Sequence, residues 1–87
     1  MKPGDLIEWV YKSDSQSVNK HEELWSTPLR RWVPIGIQPA ILVSITDEFY
    51  SWLTTRGLFH AHVLDVDASP RFGRGPAIVP RVIGEHR

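Results

Sequence analysis

The 87-residue chain contains no cysteine. Disulfides and thiolate metal sites are therefore excluded, and the redox compartment is left open. Net charge is missing as well, because ten Lys and Arg balance ten Asp and Glu. Proteins that hold nucleic acid by counterion release are usually basic, so this balance argues against nucleic acid as the partner. No apolar run approaches the ~20 residues that span a bilayer. The opening Met1-Lys2-Pro3-Gly4-Asp5 lacks the apolar stretch of a secretory signal. The expectation is a soluble protein, off the membrane and retained in the compartment where it is made.

Catalytic patterns are also scarce. The sequence has no Gly-x-Ser-x-Gly element and no glycine-rich phosphate loop. Glu22-Glu23 and Asp47-Glu48 are adjacent pairs, whose side chains point apart, and they read as solvated turns. Asp65 and Asp67 share a face at i, i+2, but no nucleophile lies near them. The expectation is a protein that is not an enzyme and needs no cofactor.

What the chain does have is aromatic mass: four Trp, three Phe and two Tyr. Each large ring can bury roughly 150–250 Å², which compensates for the thin core expected of so short a domain. A chain of this size cannot bury all four tryptophans, so at least one is expected at the surface.

The clearest stretch runs from Ala40 to Asp67. It reads as three antiparallel strands joined by tight turns at Thr46-Asp47-Glu48 and Thr55-Arg56-Gly57. Both faces of its first strand are apolar, as for a strand with cover on both sides. Upstream, Pro3-Gly4-Asp5 signals a turn, and Leu6–Tyr11 follows as a strand with Ile7, Trp9 and Tyr11 on one face. Lys12–Asn19 reads as a mobile polar loop. Lys20–Trp25 has the composition of one or two helical turns, and Leu29–Gln38, broken by Pro34 and Gly36, reads as an edge segment or flap. Asp65–Ala68 suggests a strand end or a single 3₁₀ turn. Ser69–Pro76 is an arm rich in Pro and Gly, and Ala77–Ile83 is a last strand that Pro80 confines to an edge.

The Gly-Asp-apolar opening, the long first loop and the compact meander with its Asp-Val-Asp exit together resemble SH3-like small β-barrels of the KOW and tudor type. More narrowly, Lys2–Val10 and Ala40–Asp67 resemble small structural proteins of tailed bacteriophages. The resemblance implies an all-β, SH3-like small barrel of about five antiparallel strands. Residues 1–68 would form the barrel, with its long loop at 13–39, and residues 69–87 a C-terminal arm with a short edge strand. It further implies a structural or adaptor role in a phage capsid, neck or tail. The partners would be other protein subunits in many copies, and the location the virion, assembled in the host cytoplasm. The alternative is a KOW- or tudor-like nucleic-acid-binding or regulatory module.

Two segments outside the meander carry the candidate partner-binding residues. The first holds Trp25, Arg30, Arg31 and Trp32, and the second holds Arg71, Phe72 and Arg74. Tryptophan and arginine dominate interface energetics. Trp25 and Trp32 can alternatively pack the loop onto the domain, and the two roles are compatible. Segments 13–39 and 69–87 are expected to be mobile in the free protein and to order on assembly. In the meander itself, His60 and His62 project from one strand face. They fit a half-exposed interface, or two ligands of a metal site that needs others to close it.

Overall fold

The computed structural model describes residues 1–66 and 77–84. The chain is mostly β, with one five-stranded antiparallel sheet and one two-stranded hairpin. In chain order the elements are β1 (Leu6–Tyr11), β2 (Glu23–Ser26), β3 (Arg31–Pro34), β4 (Ala40–Ile45), β5 (Phe49–Thr54), β6 (Gly57–His62), the one-turn helix α1 (Val63–Val66) and β7 (Ile78–Gly84). The large sheet has the order β6-β5-β4-β1-β7. Its end strands, β6 and β7, are not paired with each other, so the sheet is open among the described residues.

The meander forms where the alternation places it. Its second turn is Thr55-Arg56, closed by Gly57 at φ +121°, a conformation that strains any residue with a Cβ. Thr54 Oγ1 accepts the Arg56 N–H at 3.0 Å and stiffens the turn. The first turn is braced by Thr46 Oγ1, which accepts the N–H groups of Glu48 and Phe49. A bulge at Val43 shifts the β4–β5 register, so that Ser44 faces Ser51 and Ile45 faces Tyr50.

The edge strand expected around Pro80 is β7, which runs antiparallel along the whole of β1. By contrast β1 meets β4 only at Leu6 and Ile7. Past that point the chain folds back on itself: Val18 N–H donates to Trp9 O at 3.1 Å and Tyr11 N–H to Gln16 O at 2.8 Å. The polar loop expected to be mobile is thus laid along β1. Glu8 on β1 also pairs with Arg81 on β7 and accepts from Ser17 Oγ at 2.9 Å.

Two expectations are corrected in the long connection. The segment Lys20–Trp25 is not helical, because Leu24 and Trp25 pair with Val33 and Trp32 across a hairpin. Burial alternates along β2, with Leu24 and Ser26 inward and Trp25 outward, and that pairing outweighs the helical composition. Nor is Glu22 solvated. It is fully buried, and Tyr11 donates its hydroxyl to Glu22 Oε2 at 2.6 Å. Residues 13–39 therefore supply part of the core rather than a loose loop.

That core lies between one face of the large sheet and the hairpin. It joins Ile7, Trp9, Tyr11, Ala40, Leu42, Trp52, Phe59, Ala61 and Ile78 of the sheet with Leu24, Val33 and Ile35 of the hairpin segment and Val66 of α1. Trp9 and Trp52 meet edge to face with centroids 5.1 Å apart. The opposite face of the sheet has no such cover among the described residues. Leu6, Ile41, Leu53 and Leu58 are direct register neighbours across β1, β4, β5 and β6, and all are more than a third exposed. The cover expected on both faces is present on one.

Gly36 follows the hairpin where it presses against the backbone of residues 19 and 20. A Cβ there would sit 2.6 Å from Lys20 Cα. No side-chain rotamer can relieve a clash with backbone, so Gly36→Ala is expected to cost about 1–3 kcal/mol. That corresponds to a Tm drop of roughly 5–20 °C for a domain of this size. An unchanged Tm would show that the two segments do not approach so closely.

A second prediction concerns acid. Arg81, followed by Ser17, holds the Glu8 carboxyl below its ordinary value of 4.5. A depressed carboxyl stabilises the fold above its unfolded pKa, and the gain is lost as pH falls through the folded value. Arg81→Gln should therefore lower stability at neutral pH and flatten its decline between about pH 5 and pH 3. Urea unfolding at several pH values checks this.

Candidate functional site

The hairpin is held down by polar contacts as well as by its apolar face. Ser26 Oγ donates to His60 O at 2.5 Å and accepts the Leu29 N–H at 3.2 Å. Asp65, on α1, accepts from the N–H and the hydroxyl of Thr27 at 2.8 and 2.6 Å, and from His62 N–H at 2.9 Å. Both Ser26 and Asp65 are buried, so these bonds are shielded from water and costly to break. The reading of Asp65 as part of a strand end or turn fits its place in one helical turn. Its function as a clamp on Thr27 is a contact across 38 positions of sequence that no local pattern signals.

With Leu24 and Val33 turned inward, register puts Trp25 and Trp32 on the outer side of the hairpin. They face one another with centroids 5.7 Å apart at 72°, and remain 40% and 37% exposed. Inward packing of the hairpin is the work of Leu24, Val33 and Ile35, not of these two rings. Trp9 and Trp52, by contrast, are almost fully buried, so the expected division of tryptophans between core and surface holds.

The two arginines beside Trp32 part company. Arg30 sits at the hairpin tip with φ +55°, its N–H donating to Ser26 O at 2.7 Å. A side-chain-bearing residue there carries backbone strain of the order of 1–2 kcal/mol. Arg31 turns toward the sheet, its guanidinium carbon 5.9 Å from the centre of the Phe59 ring. Beside Arg31, toward the β5–β6 turn, lies a cleft of about 210 Å³ lined by Glu23, Arg31, Trp32, Pro34, Arg56 and Phe59. Arg56 and Phe59 are not among the sequence candidates, because nothing local relates the second turn of the meander to residues 31–34. Arg71, Phe72 and Arg74, the remaining candidates, lie outside the described residues.

His60 and His62 occupy the outer face of β6. His60 Nδ1 is 2.7 Å from Ser51 Oγ, and His62 Nδ1 accepts the Leu64 N–H at 3.0 Å. Phe49 packs edge-on against His62 with centroids 5.2 Å apart. Among the described residues no group of three His, Asp or Glu side chains is placed to hold a metal ion. None of the described helices is long and apolar enough to cross a membrane.

Compared with protein-family models, with curated proteins and with solved structures, the chain matches none. The geometry of the site thus carries the functional argument.

The clamp can be tested directly. Asp65→Ala should destabilise the chain by about 2–3 kcal/mol, because three donors lose a charged acceptor. Amide exchange at Thr27 and His62 should accelerate more than in β4 and β5. Uniform acceleration across the sheet would mean that Asp65 does not anchor the hairpin in particular.

Proposed function

We propose that the chain is a non-enzymatic interaction domain, an adaptor or structural subunit whose main contact surface is the β2–β3 hairpin. One observation carries this reading: Trp25 and Trp32 form an exposed aromatic pair on an element whose inner side is already anchored. Two rings, each more than a third exposed on an anchored hairpin, offer apolar area to a partner at little ordering cost. The row Leu6, Ile41, Leu53 and Leu58 on the opposite face of the sheet supports a subunit that is covered on more than one side in its assembly.

The finer form of the reading is an SH3-like small barrel that serves in the capsid, neck or tail of a tailed phage, in many copies, within the virion. The SH3-like part is supported by the pairing of β1 with both β4 and β7, the long first loop and the one-turn helix between β6 and the last strand. The phage part is supported by the resemblance over Lys2–Val10 and Ala40–Asp67. The alternative, a KOW- or tudor-like nucleic-acid module, draws on the aromatic and arginine content of the same hairpin, but the balanced charge disfavours it.

A Trp25→Ala, Trp32→Ala double variant should fold, losing about 1–2 kcal/mol with the ring pair. It should no longer associate with the subunits that co-purify with the parent chain. Retained association would remove the hairpin as the contact surface. Binding of an oligonucleotide that weakens steeply with salt would move the assignment to the nucleic-acid module.

A further inference from the structure

The cleft beside the hairpin has a chemistry more specific than a general contact surface. Two of its lining residues, Arg31 and Arg56, carry guanidinium groups, and one, Glu23, carries a carboxylate. Among the described residues no carboxylate forms an ion pair with Arg31 or Arg56, whereas Arg81 is paired with Glu8. Arg31 lies over the Phe59 ring. A cation–π contact of this kind uses none of the guanidinium N–H groups as hydrogen bonds, which leaves them available to a ligand. Arg56 rides on the two-residue turn whose backbone is braced by Thr54 and closed by Gly57. Both cations are thus carried on ordered elements.

We infer that this cleft is a carboxylate-binding subsite, which takes an acidic side chain or a free C-terminal carboxylate from a peptide segment of the partner. The inference rests on the hairpin being a contact surface and adds what the contact recognises. Arg31 and Arg56 supply the donors, and Trp32, Pro34 and Phe59 supply apolar walls for the segment that carries the acid. Among the described lining residues two guanidinium groups stand against the one carboxylate of Glu23, so the cleft favours an anion. At about 210 Å³ the cleft is smaller than the ~300–1,000 Å³ of small-molecule and cofactor sites, so it suits one residue of a peptide. A nucleic-acid strand would require a track of cations following successive phosphates, and the chain as a whole has no net positive charge.

The test is an NMR titration of the full chain, read at the Nε–Hε signals of Arg31 and Arg56 and the indole N–H of Trp32. The probes are tetraglutamate, the same peptide with an amidated C-terminus, tetraglutamine with an amidated C-terminus and a short oligothymidylate. Tetraglutamate in the millimolar range should shift both arginine signals. Retention of the shift with the amidated peptide assigns the cleft to acidic side chains, and its loss assigns it to a chain terminus; both support a carboxylate subsite. Arg31→Gln and Arg56→Gln, each folded as judged by circular dichroism, should each weaken the response about tenfold. The proposal is overturned if tetraglutamate leaves the arginine signals unmoved, if the amidated tetraglutamine moves them equally, or if the oligothymidylate moves them in preference. If the two arginine variants associate with co-purifying subunits like the parent while the double tryptophan variant does not, the carboxylate subsite falls and the hairpin remains the contact surface.

Discussion

The fold depends on covering one wall of aromatic surface. Trp9 on β1 and Trp52 on β5 meet edge to face on the buried side of the sheet, with Tyr50 edge-on to Trp9 and Phe59 tilted against Trp52. Strands β1 and β4 pair at only two positions before they diverge, so the sheet alone cannot close over these rings. Leu24, Val33 and Ile35 close it from the hairpin side. Each fully buried aliphatic of that kind contributes about 1.5–3 kcal/mol, enough that a domain of this length could not dispense with them. Among the described residues the indole N–H groups of Trp9 and Trp52 have no hydrogen-bond partner, a cost of about 1–3 kcal/mol each that the aromatic packing must offset.

Covering the core from a hairpin has a geometric consequence. Strand residues alternate between faces, so a hairpin that puts Leu24 and Val33 against Trp9 and Trp52 must put Trp25 and Trp32 on its outer side. Exposure of that pair follows from the need to bury its neighbours. Ser26 and Asp65 then convert an apolar contact into a fixed orientation, because hydrogen bonds to His60 O, Thr27 and His62 tolerate little sliding. The arginine cleft exists only in that orientation, since Arg31 and Arg56 belong to segments that meet through this docking.

The outer face of the sheet presents a different balance. In an antiparallel sheet with one solvated face, polar side chains normally alternate with core residues. Here Ile41, Leu53 and Leu58 take those positions, interrupted by the Glu8–Arg81 pair and the Ser51–His60 contact. A surface of that kind is tolerated by a free chain but favours association, more so when net charge gives no repulsion.

How much of this could be read from the residues alone divides along the range of the interactions. Period-two alternation and turn chemistry are local, so β1, the three meander strands, the Gly57 turn and the Pro80 edge strand were legible, as was the burial of some tryptophans at the expense of others. Composition also singled out Trp25, Arg30, Arg31 and Trp32. The pairing of β2 with β3 was not legible, because Lys20–Trp25 has helical composition and only its partner strand makes it extended. Burial of Glu22 depends on Tyr11, and the clamp at Asp65 depends on Thr27, each remote in sequence. The same holds for Arg56, which reads as a turn residue and gains a site only when the hairpin docks beside it. Local alternation and turn residues thus settled which segments are strands. Tertiary packing decided which faces they show and which charges they bring together, because burial of one side of a strand dictates the exposure of the other.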